Sequence, residues 1–236
     1  MTMARIFRKG PGYIIYKIPS YKCVTQALVE QYPDTKGNAV YFEFPQVKKL
    51  PDEGIQFPEV TSKYYIHSYW RAPEGLKTMG KPARKPLVRL VLPASGNELI
   101  RELRRTLTQY MLKPFKNQLP LPYFPLVRKY MRNISGKSNA VFIMKGEKIV
   151  GMFNLEGREY AQNKMFQYLE WSYLDASLTK AERADAHYQA SNWLEKNTKG
   201  MLTTCGIFPF NVRSQKFHFK LGLRPFKIFA RLNKIS

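Results

Sequence analysis

The chain has 236 residues, and its 39 lysine and arginine residues against 17 aspartate and glutamate residues give a formal net charge of +22. Hydrophobic residues make up 44% of the chain, enough for a core, so wholesale disorder is excluded. The sequence contains no run of the roughly 20 apolar residues that span a membrane, and its N-terminal stretch lacks an apolar leader. We therefore expect a cytoplasmic protein of one or two domains.

The positive charge is unevenly distributed. Residues 140–199 carry eight basic and eight acidic residues, whereas residues 211–236 carry seven basic residues and no acidic one. An excess of this size attracts polyanions: nucleic acid, an acidic carrier protein, an anionic membrane or a phosphorylated cofactor. The charge predicts a polyanionic partner without choosing among these, and high solubility alone is the alternative explanation.

The first 84 residues are predicted to form short strands separated by turns. Residues 13–18 and 39–44 are rich in β-branched and aromatic side chains, as strands are. A polar stretch rich in proline and glycine follows over residues 72–86. We therefore expect a β-rich N-terminal extension or small domain over residues 1–84 and a second domain over residues 85–236.

From residue 87 onward, helical and extended patterns alternate, which predicts an α/β or α+β domain with a mixed sheet. Ser95 and Glu98 have the spacing of a capping box at the start of the first helix. The predicted elements are a strand over 87–92, a helix after Ser95, a short basic helix over 126–131, a hairpin over 140–144 and 148–155, a strand over 165–174, a helix over 179–196, a strand over 201–208, a helix over 211–221 that ends at Gly222, and a strand over 225–232.

This order of elements, together with the segment Asn211-Val-Arg-Ser-Gln-Lys-Phe-His-Phe-Lys-Leu-Gly-Leu-Arg-Pro225, resembles the GNAT superfamily of N-acyltransferases. The hairpin over 141–153 is also similar to the central hairpin of that family. The resemblance covers residues 85–236 and implies a mixed, mostly antiparallel central sheet flanked by helices. The positions that fit the late motif of the family are Asn211, Ser214, Phe217, His218, Lys220, Leu221, Gly222 and Leu223.

The resemblance implies that an amine attacks an acyl thioester, acetyl-coenzyme A in most members. A tyrosine of the family at the position of His218 protonates the leaving thiolate, and imidazole is able to donate a proton near neutral pH. The backbone at Tyr173 and Leu174 would align the pantetheine-like arm, and Asn211 would belong to the cofactor site. Glu170 is the expected general base and Glu156 the second choice. Each of these carboxylates is alternatively a solvated strand residue, and His218 a residue that only packs.

The segment that corresponds to the pyrophosphate-binding loop of the family departs from its pattern. The family has Gln/Arg-x-x-Gly-x-Gly/Ala there, and the nearest match is Ala181-Glu-Arg-Ala-Asp-Ala186. Ala186 keeps the last small residue, but Ala184 replaces the central glycine, and its methyl group obstructs the approach of a phosphate. Lys180 and Arg183 would supply what remains of the phosphate site.

Capping residues at the same helix start argue further against a bound pyrophosphate. Thr179 and Glu182 have capping-box spacing, so their side chains compete for the backbone N–H groups that would hold the phosphate. Glu182 and Asp185 also add negative charge there.

Three interpretations remain open. The protein uses a donor without a cradled pyrophosphate, such as an acylated carrier protein or an aminoacyl-tRNA; or it binds acetyl-coenzyme A weakly; or it has kept the scaffold as a catalytically silent, basic nucleic-acid-binding protein.

Other candidate sites in the sequence are weak. The three histidines, at positions 67, 187 and 218, have no cysteine or carboxylate partners at metal-ligand spacing, so no metal is expected. Cys205 lies in an apolar stretch and is expected to be buried. Tyr69 and Trp70, with the tyrosines before them, either stack on bases, line an acyl pocket or pack a core.

Overall fold

The structure is a computed structural model that describes residues 5–33, 39–60, 64–113, 139–161 and 164–232. The predicted short helix over 126–131 lies outside these residues. The strands are β1 (Arg5–Gly10), β2 (Tyr13–Lys17), β3 (Ala39–Glu43), β4 (Tyr64–Ala72), β5 (Arg89–Val91), β6 (Asn139–Lys145), β7 (Lys148–Ala161), β8 (Lys164–Leu174), β9 (Thr203–Ile207) and β10 (Arg224–Leu232). The helices are α1 (Gln26–Gln31), α2 (Gly96–Leu107), α3 (Lys180–Thr198) and α4 (Val212–Lys220).

All ten strands form one sheet, in the order β1-β2-β3-β10-β4-β9-β8-β7-β6-β5. Neighbouring strands run antiparallel except β2 with β3 and β8 with β9, which are parallel. The predicted fold class, an α/β fold with a mixed and mostly antiparallel sheet flanked by helices, is confirmed. The predicted hairpin corresponds to β6 and β7, with Gly146 in the left-handed conformation of its turn.

The N-terminal strands belong to this same sheet. β4 lies between β10 and β9, with His67 opposite Phe229 on one side and Trp70 opposite Cys205 on the other. Trp70 is completely buried. β4, from the N-terminal part of the chain, is therefore an internal strand, and the sheet continues across the boundary predicted near residue 84.

The two faces of the sheet are covered by different helices. Successive residues of a strand point to opposite faces, so Phe142 and Ile143 of β6 belong to two different clusters. Ile143 packs in the main core with the buried residues of α3, whereas Phe142 packs with Leu99 and Leu103 of α2. The sheet is thus held between α2 on one face and α3 on the other.

Local signals set the ends of the helices. Ser95 accepts a hydrogen bond from the Glu98 N–H at 3.2 Å, as its spacing predicted. Gly222 follows α4 with φ of 92°, the left-handed conformation that favours glycine after a helix. Within the described ranges, the apolar stretches of the helices are all too short to span a membrane.

Candidate functional site

A cleft opens where β8 and β9 separate. The two strands pair only at Gln167 with Thr203 and Tyr168 with Thr204, although β8 continues to Leu174. A cleft of about 500 Å³ occupies the gap, and its walls come from β8, the end of β9, α3 and α4. The separation of two parallel strands in the middle of the sheet therefore creates a concave site.

Six of the residues predicted for the site line this one cleft: Glu170, Tyr173, Leu174, Arg183, Asn211 and His218. The other three do not. All three belong to α3. Ala186 lies on its inner side and is completely buried, whereas Lys180 and Ala184 are exposed. The six predicted residues that the cleft brings together are up to 48 positions apart in the chain, from Glu170 to His218. Their individual roles stay predictions.

His218 is buried on α4, and its ring has a defined orientation. Nδ1 lies 2.7 Å from the Ser214 carbonyl oxygen, which only accepts, so Nδ1 carries the proton. Burial lowers the pKa of His218 from 6.5 to about 4, although the bond to Ser214 opposes this. At neutral pH the imidazole is therefore uncharged and its Nε2 is an acceptor. His218 is therefore able to act as the general acid inferred from the sequence only after its Nε2 has received a proton.

Glu170 occupies a bulge in β8. Leu169 pairs with Leu155 and Trp171 with Asn154, which leaves Glu170 as the extra residue. The buried Asn154 side-chain amide donates to the Glu170 carboxylate at 2.9 Å. The bulge thus turns a fixed carboxylate toward the cleft.

Glu156, the second candidate base, is engaged elsewhere. Its carboxylate accepts from Arg158 Nε at 2.6 Å, and it is not among the residues that line the cleft. Arg158 also approaches Glu170, with 3.4 Å between Nη2 and Oε1. Glu156 therefore serves to hold Arg158 beside Glu170.

A hydrogen-bonded network that the sequence analysis missed joins α2 to the cleft. The Tyr173 hydroxyl donates to Glu102 at 2.6 Å, and Arg105 Nε donates to the same carboxylate at 2.9 Å. Burial works against ionisation of Glu102, but the hydrogen bonds from Arg105 and Tyr173 outweigh it and lower the pKa of the carboxyl. Tyr110 stacks on Tyr173, with ring centroids 4.9 Å apart. The i, i+3 spacing of Glu102 and Arg105 within the amphipathic helix α2 was the available signal.

One wall of the cleft carries positive charge. Arg183 of α3 and Arg213, Lys216 and Lys220 of α4 all line it, while Glu170 is the one carboxylate among the described lining residues. Only Arg183 was predicted from sequence. The acid-free segment 211–236 was the signal for the other three.

The N-terminus of α3 does not fit a pyrophosphate. Thr179 Oγ1 accepts from the Glu182 N–H at 3.3 Å and Glu182 Oε2 accepts from the Thr179 N–H at 2.9 Å, so the predicted capping box is confirmed. Glu182 also pairs with Lys145 at 2.7 Å. The buried Asp185 accepts from the backbone N–H groups of residues 87 and 88. The Thr179 hydroxyl thus occupies an N–H group in the first turn of α3, and the Glu182 carboxylate places a negative charge beside it that would repel a phosphate.

We expect Thr179→Ala to lower the free energy of unfolding by about 1 kcal/mol, because it removes the side-chain acceptor of the cap. Urea unfolding at pH 7 measures this. Thr179→Ser keeps the hydroxyl and is expected to stay close to wild type. Equal stability of the alanine variant and wild type would show that the cap contributes nothing.

The other cysteine and histidine candidates lie among packed residues of the sheet. Cys205 is buried in β9, as predicted. His67 stacks on Phe208, with centroids 5.0 Å apart. Across the described ranges, no three histidine, cysteine, aspartate or glutamate side chains come together in a way that could hold a metal ion.

No protein-family model and no curated protein sequence matches the chain. Solved structures similar to it include a functionally unknown conserved protein from Staphylococcus epidermidis, at 11% identity and a TM-score of 0.47 over 98% of this chain and 94% of that one. Others are L-PGS from Bacillus licheniformis, at 13% identity and a TM-score of 0.40 over 98% and 81%, and a GCN5-related N-acetyltransferase from Kribbella flavida, at 12% identity and a TM-score of 0.40 over 92% and 79%. At these values the matches say nothing about the reaction. The strand order and the separation of β8 from β9 give the chain a GNAT-like α/β fold.

Proposed function

We propose that the chain is an acyltransferase that moves an acyl group from a thioester donor, on acyl-carrier protein or coenzyme A, to an amine. The observation that carries this proposal is the cleft between β8 and β9, with Glu170, Tyr173 and His218 on its walls. A strand that leaves its neighbour presents backbone donors and acceptors to an extended ligand. The separated edge of β8 therefore suits the arm of a thioester donor.

The transfer requires one bond to form, one to break and one proton to move. The amine nitrogen bonds to the acyl carbon, the carbon–sulfur bond breaks, and the proton lost by the amine is taken up by the thiolate. His218 Nε2 accepts this proton in our proposal and returns it to the sulfur, so the imidazole ends neutral, as it began. The fixed carboxylate of Glu170 is the alternative acceptor. The remainder of the rate enhancement comes from holding the amine and the thioester together in the cleft.

The proposal does not depend on coenzyme A. The N-terminus of α3 does not fit a pyrophosphate, and the proposed transfer needs only the thioester, the amine and the side chains of the cleft. An acyl-carrier protein presents the same thioester without requiring a cradled pyrophosphate.

A cleft-filling substitution tests the proposal. Acyl-coenzyme A and acyl-carrier protein are each incubated with a panel of amines, and thiol release is followed. We expect Ser172→Trp, on the cleft wall, to lower the rate about 100-fold, because the indole misplaces the donor. Ala94→Trp adds the same bulk at an exposed position before α2 and is expected to retain activity.

Thermal unfolding of both variants checks that each is folded, and Ser172→Leu is the smaller replacement if the tryptophan variant is not. No turnover with either donor, or full activity of a folded Ser172→Trp protein, would contradict the proposal.

A second candidate function is nucleic-acid binding without catalysis. The specific observation in its favour is the basic excess of the last 26 residues, seven basic side chains and no acidic one in 211–236. Binding to RNA or DNA that weakens steeply with salt, in the absence of turnover with any thioester, would favour it over the acyltransferase.

A further inference from the structure

The positive wall of the cleft has a regular arrangement. Arg213, Lys216 and Lys220 lie on α4 at spacings of three and four residues, so they share one face of the helix. With a rise of 1.5 Å per residue they span about 10 Å along it. Arg183 lines the same cleft from α3. The arrangement is a strip of cations along one wall, with one more on the adjoining helix.

The described part of the chain supplies no counter-charge to this strip. None of the ion pairs among the described residues includes Arg213, Lys216 or Lys220. The carboxylate of Glu170, also on the cleft wall, is held by Asn154 and Arg158 instead. A concave site with unbalanced charge of one sign concentrates ligands of the opposite sign.

Arg183 holds a buried donor that has no partner. Its Nη2 donates to the carbonyl oxygens of Ala176 and Leu178, both at 3.1 Å. Its Nη1 is buried and forms no hydrogen bond with any described residue. A buried N–H without an acceptor is costly, and an anionic oxygen would satisfy it.

The lowered pKa of His187 shows that several of these cations act on the same side chain. It lines the cleft, and its pKa is lowered from 6.5 to about 4, first by burial and then by the charges of Arg183, Lys220 and Arg213. Three cations from two helices therefore act on one position in the wall, and an anion bound there would relieve their mutual repulsion.

We infer that Arg183, Arg213, Lys216 and Lys220 form a phosphate-binding wall, which takes the phosphate groups of the acyl donor in place of the self-capped N-terminus of α3. This inference rests on the proposed function. Guanidinium and ammonium groups are the side chains that bind phosphate oxygens, and several of them in a row suit a ligand with more than one phosphate. A nucleotide cofactor that carries the acyl thioester is the source that we propose, and the backbone of an RNA, which the second candidate function would bind, is the alternative source that the test distinguishes.

Binding measurements on the full chain test the inference. Free coenzyme A and a short single-stranded RNA are titrated separately by calorimetry. The site variant is Arg213→Gln/Lys216→Gln/Lys220→Gln. The control variant, Lys22→Gln/Lys48→Gln/Lys49→Gln, removes three exposed charges from positions that do not line the cleft. Both variants have the same net charge, and because all six residues are exposed, both are expected to fold as wild type does.

We expect the site variant to bind at least one of the two probes about tenfold or more weakly than the control variant does. If the probe is RNA, the salt dependence of its binding should also fall, by about 2 in the slope of log K against log salt, for three lost phosphate contacts. A loss confined to coenzyme A identifies a nucleotide cofactor, and one confined to RNA identifies a nucleic acid. Equal weakening in both variants, or no binding of either probe, would overturn the inference.

The failures of the two proposals are distinguishable. Binding that depends on Arg213, Lys216 and Lys220, in the absence of acyl transfer, would overturn the proposed function and support the phosphate-binding wall. Acyl transfer with equal donor affinity in the site and control variants would do the reverse.

Discussion

Replacement of Glu102 by alanine is expected to lower the free energy of unfolding by about 3 kcal/mol. Glu102 is 7% exposed and its carboxylate accepts from both Arg105 and Tyr173, so its loss leaves a buried hydroxyl and a guanidinium without their acceptor. The Arg105 side chain is 44% exposed, and water compensates part of that loss. Urea unfolding at pH 7 measures the effect.

Glu102→Gln is the matched control, because the amide keeps the shape and one acceptor oxygen while it loses the charge. We expect its destabilisation to be smaller than that of the alanine variant. Since Tyr173 lines the cleft, the alanine variant should also be slower in the proposed acyl transfer under conditions where it remains folded. Stability of Glu102→Ala within about 0.5 kcal/mol of wild type, the usual range of surface substitutions, would show that the network is unimportant.

The stability of the protein is expected to fall as the pH drops from about 6.5 to 4, and His218 should contribute about 3 kcal/mol of that fall. Its pKa is lowered from 6.5 to about 4 in the folded protein by burial. Within this window the unfolded chain takes up a proton that the folded protein does not. The contribution is therefore complete above pH 6.5 and is lost as the pH falls toward 4.

The difference between wild type and His218→Asn isolates this contribution, since burial also lowers the pKa values of His67 and His187 to about 4 and they titrate in the same window. Asparagine does not titrate, and its amide can still donate a hydrogen bond. Urea unfolding at several pH values should show a shallower pH dependence for the variant. Parallel curves for the two proteins would mean that His218 is protonated equally in the folded and unfolded states.

The order of elements from residue 87 to the end could be predicted because its signals are local. Ser95 and Thr179 begin helices where their own side chains cap them, and Gly222 follows α4 with the positive φ that only glycine adopts readily. The turn between β6 and β7 is equally local. Each of these signals acts over three or four residues, so sequence is sufficient to find it.

The place of β4 could not be predicted in the same way. Residues 64–72 have the aromatic content of a strand, but their position between β9 and β10 depends on pairing with residues about 135 and 160 positions away, as Trp70 with Cys205 and His67 with Phe229 show. β1 was missed because its residues are exposed and show no alternation of apolar and polar side chains.

The same distinction between local signals and long-range contacts applies to the candidate site. By itself the sequence determined the helix that carries His218 and Asn211, the capped start of α3 and the excess of positive charge. Only the tertiary structure decided that β8 and β9 separate, that Glu102 of α2 holds Tyr173, that His218 presents an acceptor, and that α3 and α4 bring their cations to one cleft. Capping and helix formation depend on neighbouring residues. The shape of the cleft, the burial of His218 and the combined charge of the cations on α3 and α4 depend on distances between residues far apart in the chain.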